Sequence, residues 1–335
     1  MKKILLSFLA VAVLASCAKS GIVLKDEAEI RLAPKTLPIT KADHLGVISG
    51  IDYPTTENFD VYGYWSADWE SSEVVNYLLP TEEGSGVEFV YRGEYWTGKT
   101  AYYWPKDGSL KFACYSPSSQ NIQHDYATDT YTKQGYVHPS ATSETWDLLL
   151  APLTGAYTIQ TAKEHVAVAF EHALAWITLK VSAGSEVAAK AFDINKITIN
   201  GVSTKADLSA KMFDGIQAQE WTGHTQAADY VVFEGSQFVT QTPATIENNA
   251  GGTIVIPQET TNMTVEYTQR EIENSTAELK TQSILLDLTL GTNCKLWEPG
   301  KHYTYNLVFN LDEIRIKPVV KIWDTLSSSD VNVSK

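Results

Sequence analysis

The chain has 335 residues, comfortable for two domains of common size and large for one sandwich. Its formal net charge of -14 makes nucleic acid and anionic membrane surfaces poor partners on electrostatic grounds. Apolar residues reach 44%, with 9 Trp and 17 Tyr, which suits an exported, surface-exposed β protein with real cores.

The first residues set the compartment. "MKKILLSFLAVAVLASC" carries Lys2 and Lys3, an apolar run from Ile4 to Ala15 and small residues before Cys17. The run is short for a membrane span, so residues 1–16 read as a secretory signal. Leu14-Ala15-Ser16-Cys17 has the form of a lipobox, where signal peptidase II cuts before a diacylated cysteine. An ordinary signal peptide with a chance cysteine is the plainer alternative. Acyl chains on Cys17 would bury many CH₂ groups at ~0.8 kcal/mol each. Residues 17–41 then form a lipidated spacer, with apolar side chains alternating at Ile30 and Leu32 and again at Leu37 and Ile39.

Strand signals follow. "FDVYGYW" (59–65) alternates, "TAYYWP" (100–105) and "LKFACYSP" (110–117) are aromatic and end at proline, and "TWDLLLAP" (145–152) is a short apolar run. Turn clusters such as "EEGSG" and "KDGS" separate them. In "VAVAFEHALAWITLKV" (166–181), Val166, Val168 and Phe170 alternate; Ala173, Ala175, Ile177, Leu179 and Val181 then alternate on the opposite parity. Such a switch marks a bulge or corner between two strands rather than a helix. "INKITING", "YVVFEG", "GTIVIP", "MTVEYT" and "ILLDLTL" continue the β pattern to residue 290. "SSEVVNYLL" (71–79) and "DLSAKMF" (207–213) read as a helical turn or two each. In "GKHYTYNLVFNLDEIRIKPVVKIWD" (300–324), Tyr303, Tyr305, Leu307, Phe309 and Leu311 alternate, and Ile314, Ile316, Val320 and Ile322 carry the pattern past a corner at Asp312 and Glu313. A period of two on both arms predicts a hairpin. Short strands without long amphipathic helices indicate an antiparallel β-sandwich, with two β-rich halves, 42–160 and 161–324, and a polar tail, 325–335.

Chemistry is thin. There is no G-x-S-x-G elbow, no C-x-x-C, no H-E-x-x-H and no phosphate-cradling glycine loop, so no catalytic residue, metal or cofactor is expected. His165 and His172, each after a glutamate, are the nearest thing to a cluster, and a hydrogen-bonded histidine at a sheet corner explains His172. Asp125 and Asp129 lack calcium-loop spacing and read as a solvated loop. Cys114 and Cys294 read as free and partly buried. Trp65, Trp69, Trp96 and Trp221 are candidates for stacking on sugar rings, against core or rim packing.

Several pieces, taken in order, resemble one family. "AYYWPKDGSLKFACYSP", "WDLLLA", "VAVAFEHALAWITLKV" and "LWEPGKHYTYNLVFNLDEIRI…IWD" are similar to the Bacteroidales-type fimbrillin-like proteins, subunits of type V pili, across residues 90 to 324. The resemblance implies an all-β chain of two tandem transthyretin-like antiparallel sandwiches, exported as an outer-membrane lipoprotein. It also implies assembly by strand exchange: a protease removes the lipidated N-terminal segment with the first strand, and a neighbour's C-terminal strand fills the groove. On this chain the removable strand falls in 28–39, with Ile30, Leu32, Leu37 and Ile39, and the donor tail carries Val331 and Val333. The family's processing arginine is matched here by Lys41, before Ala42; the Arg31–Leu32 bond is the alternative. The implied partners are other fimbrial subunits in a head-to-tail polymer, the outer membrane before processing, and a host or microbial glycan or protein receptor. A tip or anchor accessory subunit, or an outer-membrane glycan-binding lipoprotein, are the alternatives.

Overall fold

The structure, a computed structural model, describes residues 29–36, 53–79, 85–141, 146–185, 190–212, 218–248, 252–271, 280–289, 294–310, 313–323 and 331–332. The chain is all-β across several sheets, with one four-residue α-helix among the described residues, α1 (Ile159–Ala162), capped by Thr158.

The first sheet holds β1 (Arg31–Thr36), β2 (Phe59–Ser66), β3 (Val75–Asn76), β4 (Val87–Tyr91), β5 (Trp96–Gly98) and β6 (Ser109–Ser116). A hairpin of β7 (Gln123–Asp125) and β8 (Thr130–Val137) leaves it, and β9 (Leu149–Ala151) and β10 (Val166–His172) return to it. The order β2-β4-β5-β1-β10-β9-β6 closes on itself, because β6 also pairs with β2, from Asp60↔Tyr115 to Ser66↔Ser109. The enclosed core contains Ile30, Leu32, Phe59, Phe89, Trp96 and Phe170. β2 alternates in sequence yet is buried on both faces: Phe59 and Val61 point inside the ring, and Tyr64 packs outside it.

The chain leaves this sheet at Ala173 and Leu174, both fully buried, and enters another as β11 (Ala175–Ala183). The parity switch read from the sequence is this corner: Val166, Val168, Phe170 and His172 are buried before it, and Ile177, Leu179 and Val181 after it.

Next comes a long hairpin, β12 (Lys190–Lys211) and β13 (Ala218–Phe238). One edge of β12 is zipped to β13. The other is shared end to end by β17 (Asn262–Glu271), along residues 190–200, and by β8, along residues 205–211. Gly201, at φ +64, sits where the hairpin register slips, a backbone angle glycine adopts without strain. β18 (Lys280–Asp287) extends this sheet beyond β17.

Facing it is a sheet of β14 (Ala244–Thr245), β15 (Thr253–Val255), β11, β20 (Lys301–Phe309), β21 (Ile314–Ile322) and β22 (Val331–Asn332). β20 and β21 are the expected hairpin, paired from Lys301↔Ile322 to Phe309↔Ile314, with Tyr303, Tyr305, Leu307 and Phe309 buried. Their core includes Ile177, Ile197, Val265 and Trp297. A two-stranded patch, β16 (Gln258–Glu259) with β19 (Leu296–Trp297), closes one end. Between the outside of the ring and the β8–β12 surface lies a third core with Tyr64, Tyr115, Tyr131, Leu150, Leu208 and Trp323.

Three sequence expectations are corrected. Residues 207–211 belong to β12, with Leu208, Ala210 and, just past its end, Met212 buried at period two, and 71–79 holds β3 instead of a helical turn. "TAYYWP" forms only an isolated bridge, Glu29↔Tyr103. Cys114 and Cys294 are both buried and free.

Tyr131 joins the two layers around the third core. Its hydroxyl faces the Cys114 carbonyl at 2.9 Å and the Ala151 carbonyl at 2.5 Å. Tyr131→Phe leaves both acceptors buried without that donor, so urea unfolding at neutral pH should read a loss of about 1–3 kcal/mol. Truncating the exposed Leu285 to alanine should stay within about 0.5 kcal/mol.

Candidate functional site

β1 is a stave inserted into the ring with unequal support. On one side it runs parallel to β10 from Leu32↔Val166 to Thr36↔Phe170. On the other it meets β5 only at Arg31↔Thr97 and Leu32↔Trp96. The Ile30 amide adds a bond to the Tyr102 carbonyl at 2.8 Å. Alternation sends Ile30, Leu32 and Pro34 inward and leaves Arg31, Ala33 and Lys35 on the outer face. Ile30 and Leu32 are 0% exposed, and each such side chain contributes about 1.5–3 kcal/mol by burial. Pro34 has no N–H, which a strand tolerates where one side of its ladder is open.

Outside the ring, the Arg31 guanidinium lies 5.8 Å from the Tyr95 ring centre. Tyr95 stacks on His165 at 5.1 Å and donates its hydroxyl to Glu164. Arg31, Glu164 and His165 help line a cavity of about 260 Å³ beside the start of the strand. The Arg31–Leu32 bond is therefore held in the ladder on both sides, with its Leu32 side chain in the core.

Asp60 of β2 is a buried carboxylate in the ring wall. It accepts a hydrogen bond from the Tyr115 hydroxyl at 2.6 Å. Burial pushes its pKa up to about 7, with Glu88 adding repulsion and the Tyr115 and Gly86 hydrogen bonds opposing the rise.

The other sequence candidates scatter. Cys17, Leu37, Ile39, Lys41, Ala42 and Val333 lie outside the described residues. Val331 and Asn332 form β22, whose backbone pairs with Val320 and Val319 at the edge of β21. His172 is buried at the sheet corner, its Nδ1 2.6 Å from Asp147 and its ring stacked on Trp323. Asp125 accepts from the Ala127 amide and the Thr128 hydroxyl in the β7–β8 turn, whereas Asp129 of the same turn is buried, not solvated as expected, and contacts His124 Nε2 at 2.9 Å. Trp96 is in the ring core, Trp65 and Trp69 donate to Asp107 and Ser109, and Trp221 lines a separate groove. Among the described residues no group of three or more His, Cys, Asp or Glu is placed to hold a metal.

A family model described as fimbrillin-like matches residues 49–323. The chain belongs to the fimbrillin-like family. Its fold is similar to a fimbrial protein from Bacteroides vulgatus, at 15% identity and a TM-score of 0.58, covering 88% of this chain and 99% of that one. A candidate cell adhesion protein from Bacteroides uniformis is 16% identical at a TM-score of 0.48, covering 88% of this chain and 98% of that one. No curated protein sequence matches. In this fimbrillin-like chain the matched segment starts after β1 and ends at Trp323, before β22.

What sequence reading missed is the closure itself. Ile30 and Leu32 were visible as an alternating pair, but their neighbours lie far along the chain, at Trp96 and Val166.

Two outcomes follow from this geometry. Trypsin should cut Arg31–Leu32 in the folded protein only as fast as β1 leaves the ring. Leu32→Ala, at about 2–5 kcal/mol of lost packing, should speed that cut in a limited digest read by N-terminal sequencing. Asp60 has a folded pKa above its unfolded value, so the stability it contributes is complete below about pH 4 and is lost as pH rises toward 7. Asp60→Asn should remove that slope from the difference between variant and parent in urea titrations at successive pH values.

Proposed function

We propose that this chain is a structural subunit of a cell-surface fimbria, exported as an outer-membrane lipoprotein on Cys17 and assembled by protease-triggered strand exchange. The observation that carries the reading is β1: an apolar stave held by five register pairs on β10 but only two on β5. Its loss uncovers unpaired N–H and C=O groups on both flanking strands together with the sites of Ile30 and Leu32. A donated strand restores the ladder and the burial. Because the contact runs head to tail, it does not close and yields a filament.

Support comes from the family and from the extent of its match, which contains neither β1 nor the tail. The tail with Val331 and Val333 is the proposed donor, and other copies of the chain or related subunits are its partners. The proposal keeps two tandem transthyretin-like units, 42–160 and 161–324, with β10 of the second segment completing the sheet of the first. Adhesion to a host or microbial receptor is the proposed purpose of the filament, and no catalysis is assigned.

Processing decides between stalk and anchor. Thr40-Lys41-Ala42 stands where the resemblance leads one to expect arginine, and Arg31 is locked in the ladder. If an arginine-specific protease is the only one acting, the lipid and β1 stay in place and the chain serves as an anchor.

The test is mass spectrometry of the N-terminus of protein recovered from the cell surface. A start at Ala42, with filaments from the processed protein by negative-stain microscopy, is the expected result. A start at acylated Cys17 alone ends the stalk reading. Replacing Val331 and Val333 by aspartate should abolish filaments while leaving the monomer's unfolding midpoint within the spread of repeat measurements.

A further inference from the structure

A second concave surface lies away from β1. It runs along the β12–β13 hairpin where the β16–β19 patch folds over it, with a volume of about 570 Å³, within the range of about 300–1,000 Å³ usual for small-ligand sites. We infer that this groove binds an uncharged saccharide, with the Trp221 ring as its platform.

The walls are fastened independently of any ligand. Trp221 is half-buried; its Nε1 donates to the Ala173 carbonyl at 3.2 Å, and its ring meets Tyr136 edge to face at 5.2 Å. The ring is thus presented to the groove in one fixed orientation. The Gln258 side chain is tied to β12 at both ends: it accepts from the Ser203 amide and donates to the Ser203 and Ile256 carbonyls. His224 Nε2 donates to the Pro257 carbonyl at 2.8 Å. Trp297 is fully buried and donates to the Tyr305 hydroxyl. Leu296, at the rim, is 45% exposed.

Against these committed groups, Thr260 and Thr261 stand out. Both line the groove, and both hydroxyl oxygens are buried without a hydrogen-bond partner. Thr260 is only 7% exposed. Buried hydroxyls in this state are uncommon and are satisfied when a polar ligand or water reaches them. The ligand class follows from what else is present. Among the described residues no Lys or Arg lines the groove and Glu259 is its one carboxylate, so phosphates, sulfates and acidic sugars meet no counter-charge there. A fixed indole face beside hydroxyl and carboxylate groups matches a pyranose, which offers an apolar C–H face and a rim of hydroxyls. This inference stands apart from the assembly reading, since β1 and the tail supply none of the groove.

Isothermal titration of the full-length mature protein tests it, with linear hexasaccharides of glucose, N-acetylglucosamine, mannose and galactose as probes. At least one should bind saturably. Trp221→Ala should weaken it by about tenfold or more, and Trp221→Phe, which keeps a ring in the wall, by less. Thr260→Val, matched in shape, should also weaken binding, whereas Trp69→Ala, outside the groove, should leave it unchanged. The inference fails if no hexasaccharide saturates, or if folded Trp221→Phe and Thr260→Val both bind like the parent. It fails equally if a synthetic peptide of residues 324–335 occupies the groove and the sugars do not, which would make the surface a subunit contact.

Discussion

Closure of the first sheet is the constraint from which the other layers follow. A sheet that returns to its first strand has no edge, so its interior can be wholly apolar and its exterior is free to carry a second core. β2 shows the consequence in one strand, with Phe59 and Val61 inside the ring and Tyr64 outside it. Closure passes through β1, which meets β5 by two pairs, as few as join β9 to β10. The sheet therefore combines a full hydrophobic interior with a β1–β5 joint of few backbone pairs. Apolar burial of Ile30 and Leu32 holds that joint shut far more than the ladder does.

The outer core is built on β12. Its 22 residues exceed the usual strand length, and its two ends serve different partners, β17 and β8. Register slips at four places along the hairpin bend the strand and raise its local twist. The same slips turn the hairpin so that one end backs the C-terminal core and the other covers the ring. The groove at Trp221 lies between this hairpin and the β16–β19 patch.

How much of this the sequence discloses depends on the reach of the contacts. The β20–β21 hairpin was legible because its partners are adjacent and one face is buried along its length. The corner at Ala173 was legible because a change of sheet reverses parity within a few residues. Residues 207–211 were misread because Ala, Lys and Met favour helix locally, and only pairing with β8 and β13 fixes them as strand. β1 was legible as an apolar pair but not as the closing stave, since Trp96 and Val166 cannot be placed beside it from spacing. The Thr260 and Thr261 hydroxyls gave no signal at all, because an unmet hydrogen bond exists only in three dimensions.

The end of β21 is firmly set. Trp323 is 1% exposed, donates its backbone N–H to Gly300, and stacks on His172 with ring centres 4.1 Å apart. His172 pairs with Asp147 next to β9, and the Gly300 amide in turn bonds to Leu174 at the corner between sheets. The tail thus departs from a rigid junction that touches both the ring and the C-terminal core. β22 then lies on β21 by only two register pairs. Under the proposed assembly a filament needs a donor segment that detaches readily from its own subunit and a root that does not yield once the segment is held by a neighbour. Trp323 and its stack supply the root, and the short β22 ladder makes the segment easy to release.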